Sequence, residues 1–143
     1  MKAFQIALSK FGVKEIKGHE DNPEIVGWFN DLGYEGEKLK DETAWCSLFA
    51  NWCCKQAGLP YTGALNARSW LDWGVEVDIP KQGDIVVLWR ESPDSWKGHV
   101  GFYVTERHGW IYVLGGNQSN EVNIKAYPKK RLLEYRRYSR GVV

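Results

Sequence analysis

The chain has 143 residues, 26% charged and 43% hydrophobic, with a formal net charge of +1. That length suits one compact domain burying roughly 70% of its unfolded surface, so neither a disulfide nor a metal is needed for folding. The near-zero charge offers no global basic field for nucleic acid, and no run approaches the roughly 18 apolar residues that a spanning helix needs.

The first half of the sequence has helical periodicity. The start, "MKAFQIALSKFG", lacks a continuous apolar run with a small-residue cleavage site, so a protein made in the cytoplasm without a signal peptide is expected. Within it Ala3, Phe4, Ala7, Leu8 and Phe11 recur at helical spacing, and Gly12 can end the helix. "DNPEIVGWFNDLG" predicts a second helix, with Asn22 as N-cap, Pro23 as its first residue, Ile25, Trp28, Phe29 and Leu32 as its stripe, and Gly33 beyond its end. In the preceding "KGHEDNP", His19 and Glu20 are helix-entry residues or substrate contacts. Asp41 or Thr43 can cap a third helix that stops at Gly58, and "NARSWLDWG" fits a short fourth helix.

The period then changes. "GDIVVLW" (83–89) follows the turn "PKQG" as a buried strand. "HVGFYV" (99–104) alternates, with Val100, Phe102 and Val104 on one face and His99, Gly101 and Tyr103 on the other. "GWIYVLGG" (109–116), "EVNIKAY" (121–127) and "LEYRRYS" (133–139) supply further strands. Helices first and an antiparallel sheet after predict an α+β fold.

All three cysteines fall on the third helix. Cys46 and Cys53 would stand about 10 Å apart along it, too far for a disulfide. "CC" is not a C-x-x-C pair and the three histidines are scattered, so no metal site and no cofactor is expected. Trp45, Leu48, Phe49 and Trp52 form one stripe, beside a stripe of the small residues Cys46, Ala50, Cys53 and Ala57. Cys53 and Cys54 read as small core hydrophobes. Cys46 is placed in the first turn, where unpaired N–H groups and the helix dipole favour an anion. A nucleophile there needs a base and a group that orients the base. His99, opening a strand, and Asn117, in "GGNQSN" after the next strand, can supply them if those strands pair as a hairpin. The same residues also fit a strand-end histidine with a structural hydrogen bond and an ordinary turn asparagine.

Four segments, "TAWCSLFANWC", "PKQGDIVVLWR", "GHVGFYV" and "YVLGGNQSNEV", resemble in order the motifs of the CHAP and NlpC/P60 group of peptidoglycan cysteine hydrolases. They are more closely similar to a short single-domain subset found in phages and prophages. The resemblance runs from about Asp41 to Tyr127. It implies a papain-like α+β domain over residues 1–143, with an N-terminal helical part (1–40), a CHAP-like core (41–127) and a basic C-terminal tail (128–143). It implies Cys46 as nucleophile, His99 as general base and acid, and Asn117 as the orienting residue. Many CHAP domains carry a Glu two residues before that Asn, where this chain has Gly115.

The implied reaction is hydrolysis of a peptidoglycan amide bond, by an N-acetylmuramoyl-L-alanine amidase or an endopeptidase. The implied partners are the stem peptide and, for a phage or prophage endolysin acting on the wall after release, a holin pore. An immunity protein would replace the holin if the protein were an injected antibacterial effector, and a non-catalytic wall-binding or virion module is the reading from another class. A monomer without nucleic acid is expected. Trp96, in the polar loop before His99, together with Arg68 and Trp45, are the expected substrate contacts, with Ser69 also able to face the cleft. Trp70, Trp73, Trp89 and Tyr103 could line a groove or pack in the core. The tail "KKRLLEYRRYSR" (129–140) reads as a solvated strand face or as an attractor of an anionic surface.

Overall fold

The computed structural model describes residues 2–15, 22–34 and 45–139. His19, Glu20, Asp41 and Thr43 lie outside them. Helices α1 (Lys2–Ser9), α2 (Pro23–Asp31) and α3 (Cys46–Gln56) come first, followed by a 3-10 helix over Ala67–Asp72. The strands are β1 (Val75–Val77), β2 (Ile85–Trp89), β3 (Gly98–Arg107), β4 (Trp110–Gln118), β5 (Glu121–Pro128) and β6 (Leu132–Arg137). They form one sheet in the order β1-β6-β2-β3-β4-β5, every neighbour antiparallel. The architecture is the α+β arrangement that the change of period predicts.

Local chemistry accounts for most element ends. The Asn22 side chain accepts from the Glu24 N–H at 2.8 Å, and Pro23 opens α2. α1 stops at Ser9, earlier than its stripe suggests; Ala3, Phe4 and Ala7 are buried while Leu8 and Phe11 are exposed. The fourth helix is the tighter 3-10 form. Gly74 after it has φ +61, and a Cβ there would stand 2.3 Å from the Arg137 carbonyl oxygen, so only glycine allows this approach to β6. The three-residue edge strand β1 was too short to show a period.

The sheet carries apolar residues on both faces. Ile85, Val87, Val100, Phe102 and Leu114 join the buried residues of α1, α2 and α3 in the larger core, with Val104 against it. Val86, Leu88, Ile111, Val113, Tyr127 and Tyr135 make a smaller cluster, with Tyr103 against it. The alternation read in β3 therefore separates two cores. The basic tail is less solvated than its composition suggests. β6 lies between β1 and β2. Arg137 grips Asp84 through two bonds of 2.7 and 2.6 Å, and Arg136 donates to the Trp73 and Gly74 carbonyls.

Candidate active site

α3 is buried on nearly every side, which requires its polar residues to find partners. Ser47 Oγ donates to the Ala64 carbonyl (2.7 Å) and accepts from Trp70 Nε1 (2.9 Å). Asn51 Nδ2 donates to the same carbonyl (3.0 Å), and its Oδ1 accepts from the Gly63 N–H (3.0 Å). These bonds lash the following loop and the 3-10 helix along α3. Cys46 is the first residue of α3, and the N-cap Trp45 gives no side-chain hydrogen bond, so the N–H groups of this end are not capped by that side chain. Burial pushes the Cys46 thiol up; the backbone N–H groups of Val100, Ser47 and Cys46 and the charge of Arg90 act against burial without overcoming it.

His99, the second residue of β3, is buried. Its Nε2 lies 2.9 Å from Gln118 Oε1 and 3.2 Å from the Tyr127 hydroxyl. Gln118 Nε2 donates to the Val113 carbonyl (3.0 Å), the Asn123 carbonyl (2.7 Å) and Asn123 Oδ1 (3.0 Å). Acceptors surround the amide nitrogen, so the amide oxygen faces the imidazole. The hydrogen-bond network thereby assigns the proton of neutral His99 to Nε2 and leaves the Nδ1 lone pair for a thiol.

The hydrogen bond expected from Asn117 is therefore made by its neighbour. β3 and β4 do pair as the expected hairpin, but β4 carries a bulge near its end. Gly115 pairs with Asn123, and the next pair is Gln118 with Glu121, so β4 has one residue more than β5 between the two. One extra residue reverses the facing of everything beyond it, which brings side chain 118 to the face that 117 would have taken. Asn117 sits inside the bulge at φ +57. Gly115 completes the arrangement, because a Cβ there would be 2.7 Å from Gln118 Oε1 and 3.5 Å from His99 Nε2. The Gln118 amide fills the space that a side chain at 115 would need. No spacing rule for Cys, His and Asn leads to Gln118; the signal was the pair of glycines closing a strand, which marks a bulge.

Cys46, His99 and Gln118 share a cavity of about 330 Å³. Arg90, Asn117, Asn120, Lys125, Tyr127 and Arg131 complete its walls. Burial lowers the His99 pKa to about 4; the Gln118 hydrogen bond opposes this, and the charges of Arg131, Arg90 and Lys125 add to it. Burial also raises the Tyr127 phenol, which stays protonated. Burial thus favours the uncharged form of both the Cys46 thiol and the His99 imidazole, which line the same cavity.

The other expected contacts separate. Trp45 is 1% exposed, packs on Trp28 and donates its indole N–H to Glu15, so it belongs to the core and not to a groove. Trp70 and Trp73 are buried, and Tyr103 packs edge-on against Tyr135. Trp89 donates to the Lys130 carbonyl. Ser69 pairs with Thr62 at 2.8 Å. Arg68 points away from substrate duty: its three nitrogens donate to the carbonyls of Lys97 (2.9 Å), Pro93 (2.8 Å) and Ser92 (3.1 Å), clamping the loop between β2 and β3. Trp96 on that loop is 74% exposed. Among the described residues no group of three metal-ligating side chains comes together, and no helix is long and apolar enough to cross a membrane.

The family model of the CHAP domain matches residues 38–117. No curated protein matches the chain. Among solved structures, an NlpC/P60 family protein from Bacillus cereus ATCC 10987 is similar with a TM-score of 0.56 at 15% identity, over 96% of this chain and 39% of that one. This chain thus spans well under half of that protein's length. At such low identity the likeness speaks to the fold, which is NlpC/P60-like.

Proposed function

The chain belongs to the CHAP domain family, and from that premise we propose that it hydrolyses an amide bond of peptidoglycan through Cys46, His99 and Gln118. Family membership supports a peptidoglycan hydrolase in general terms. The observation that carries the finer reading is the shared cavity: a cysteine at a helix head opens into the same space as a histidine whose Nε2 is held by Gln118.

Burial favours the neutral form of both groups, so in this reading proton transfer accompanies attack. His99 Nδ1 takes the Cys46 proton as Sγ bonds to the amide carbon. The carbonyl oxygen gains charge and is met by the Cys46 backbone N–H at the head of α3. Collapse breaks the C–N bond, and the imidazolium returns its proton to the leaving amine. Water, deprotonated by Nδ1, then attacks the thioester; the acid departs and Sγ regains its proton. Throughout, Gln118 Oε1 accepts from Nε2–H, holding the ring and stabilising its charged form. Residues 1–143 act as one catalytic unit, in the role of a phage or prophage lysin that reaches the wall after release.

The test is a digest of purified peptidoglycan by wild type and Cys46→Ala, matched by circular dichroism and read by mass spectrometry. New fragments from wild type alone are expected, and their masses identify the bond as that of an amidase or an endopeptidase. Equal fragments from both proteins would overturn Cys46 as nucleophile. No fragments from either, across several wall chemotypes, would overturn the hydrolase.

A further inference from the structure

We propose that Arg90, Lys125 and Arg131 form a subsite for a carboxylate that the substrate carries beside its scissile amide. This rests on the peptidoglycan reading above and names what the site selects within it.

The three cations come from separate parts of the chain: the residue after β2, the middle of β5, and the turn before β6. All three line the cavity that holds Cys46 and His99. Among the described residues no carboxylate lines that cavity, and none of the three cations is in an ion pair. Other cations do find carboxylates, Lys97 with Glu91, Lys129 with Glu106, Arg136 with Glu134 and Arg137 with Asp84, whereas these three converge on one cavity whose lining offers none. Arg131 is also oriented. Its Nε donates to the Trp89 carbonyl at 3.0 Å, and its guanidinium lies 5.4 Å from the Tyr127 ring centroid and 5.9 Å from that of Trp89. Both terminal nitrogens are left for a ligand, in the fork that suits a two-oxygen anion.

Three unneutralised cations around one small cavity repel one another, and they oppose protonation of the His99 imidazole in its wall. An anion entering the cavity removes both penalties. It would also favour the imidazolium formed during attack, so a charged substrate gains in turnover as well as in binding. In a stem peptide the available anion is a carboxylate. A phosphate of a wall polymer has the same fork chemistry and is one arm of the test.

Two probes are used: a synthetic stem peptide with free carboxylates, and the same peptide with those groups as carboxamides. Wild type should cut the first faster by about tenfold to a hundredfold, the range for losing a hydrogen bond to a charged group. Arg90→Gln and Lys125→Gln, both at exposed positions, should shrink that ratio towards one. Binding of both peptides and of inorganic phosphate to Cys46→Ala, followed by NMR titration, gives a readout independent of turnover. Equal cleavage and equal binding of the two peptides would overturn the subsite, as would a preference that survives both variants. Phosphate bound as tightly as the free peptide would replace the carboxylate by a phosphate. If nothing is cut but the free peptide still binds preferentially, the hydrolase reading falls and the anion subsite stands.

Discussion

Cys46 and Cys54 are eight residues apart on one helix, both buried, both free thiols, and their surroundings differ in kind. Burial raises both. At Cys54 nothing opposes it, and the thiol is pushed up to about 12. At Cys46 three backbone N–H groups and Arg90 oppose it. Each thiol also lines a cavity of similar size. The one at Cys54, about 320 Å³, is walled by Phe4, Leu59, Trp73, Ile85 and Phe102, with the Asp84–Arg137 pair at its side and no histidine in its lining. Neither burial nor an adjoining cavity distinguishes the proposed nucleophile from Cys54. The distinction is a histidine with an uncommitted nitrogen, together with donors aimed at the sulfur.

The sharpest way to break this comparison is alkylation of the folded protein with iodoacetamide, read site by site by mass spectrometry. Cys46 should react while Cys53 and Cys54 wait for unfolding, a difference of about a thousandfold or more for a domain of ordinary stability. The Cys46 rate should climb as pH rises through the neutral range, because its raised pKa keeps it mostly thiol there and the thiolate is the nucleophile. A rate already level from acidic pH upwards would reveal a preformed thiolate–imidazolium pair and overturn the neutral resting state.

A smaller effect separates the two neighbours in the β4 bulge. Gln118→Ala removes the bond to His99 Nε2 and should lower kcat by about a hundredfold, the scale of a misplaced catalytic group. Asn117→Ala removes a cavity wall that makes no bond to the imidazole, and kcat should stay near wild type. Single-turnover rates on both variants decide it. The opposite order would return the orienting role to Asn117.

That pair also marks where the sequence stops being legible. α2 could be read to its cap because Asn22, Pro23 and Gly33 each act within a few residues of themselves. The two faces of β3 could be read because a period of two depends only on local pleating. The meeting of Cys46 and His99 in one cavity was reachable through helix position and strand order. Gln118 was not, since its facing depends on one extra residue in β4 relative to β5, a property of pairing between strands. Arg131 and Lys125 were read as part of a basic tail and a plain strand; only the sheet order brings them to the cavity. Arg68 was read as a substrate contact facing the cleft, whereas its guanidinium fork holds the carbonyls of Lys97, Pro93 and Ser92.

The two ends of α3 differ in how their surroundings are held, and Arg68 tests that at the smallest scale. The far end is fixed by packing: Cys53 and Cys54 sit among apolar neighbours that no single hydrogen bond controls. The loop carrying Trp96 has its tip exposed, and three donors from one guanidinium hold its carbonyls. Arg68→Ala should therefore speed amide exchange across residues 92–98 while leaving residues 48–54 protected. KM should rise roughly threefold to tenfold, on the order of 1 kcal/mol, with kcat little changed, because the loop joins Arg90 of the cavity wall to the strand that carries His99, while residues 91–98 line no part of that cavity. Arg68→Lys should recover only part of this, since one ammonium cannot span three carbonyls. Unaltered exchange in the loop would mean that the Ser95–Ser92 turn and the Lys97–Glu91 pair hold it without Arg68. The clamp would then be redundant, and the contrast between the two ends would rest on the cysteines alone.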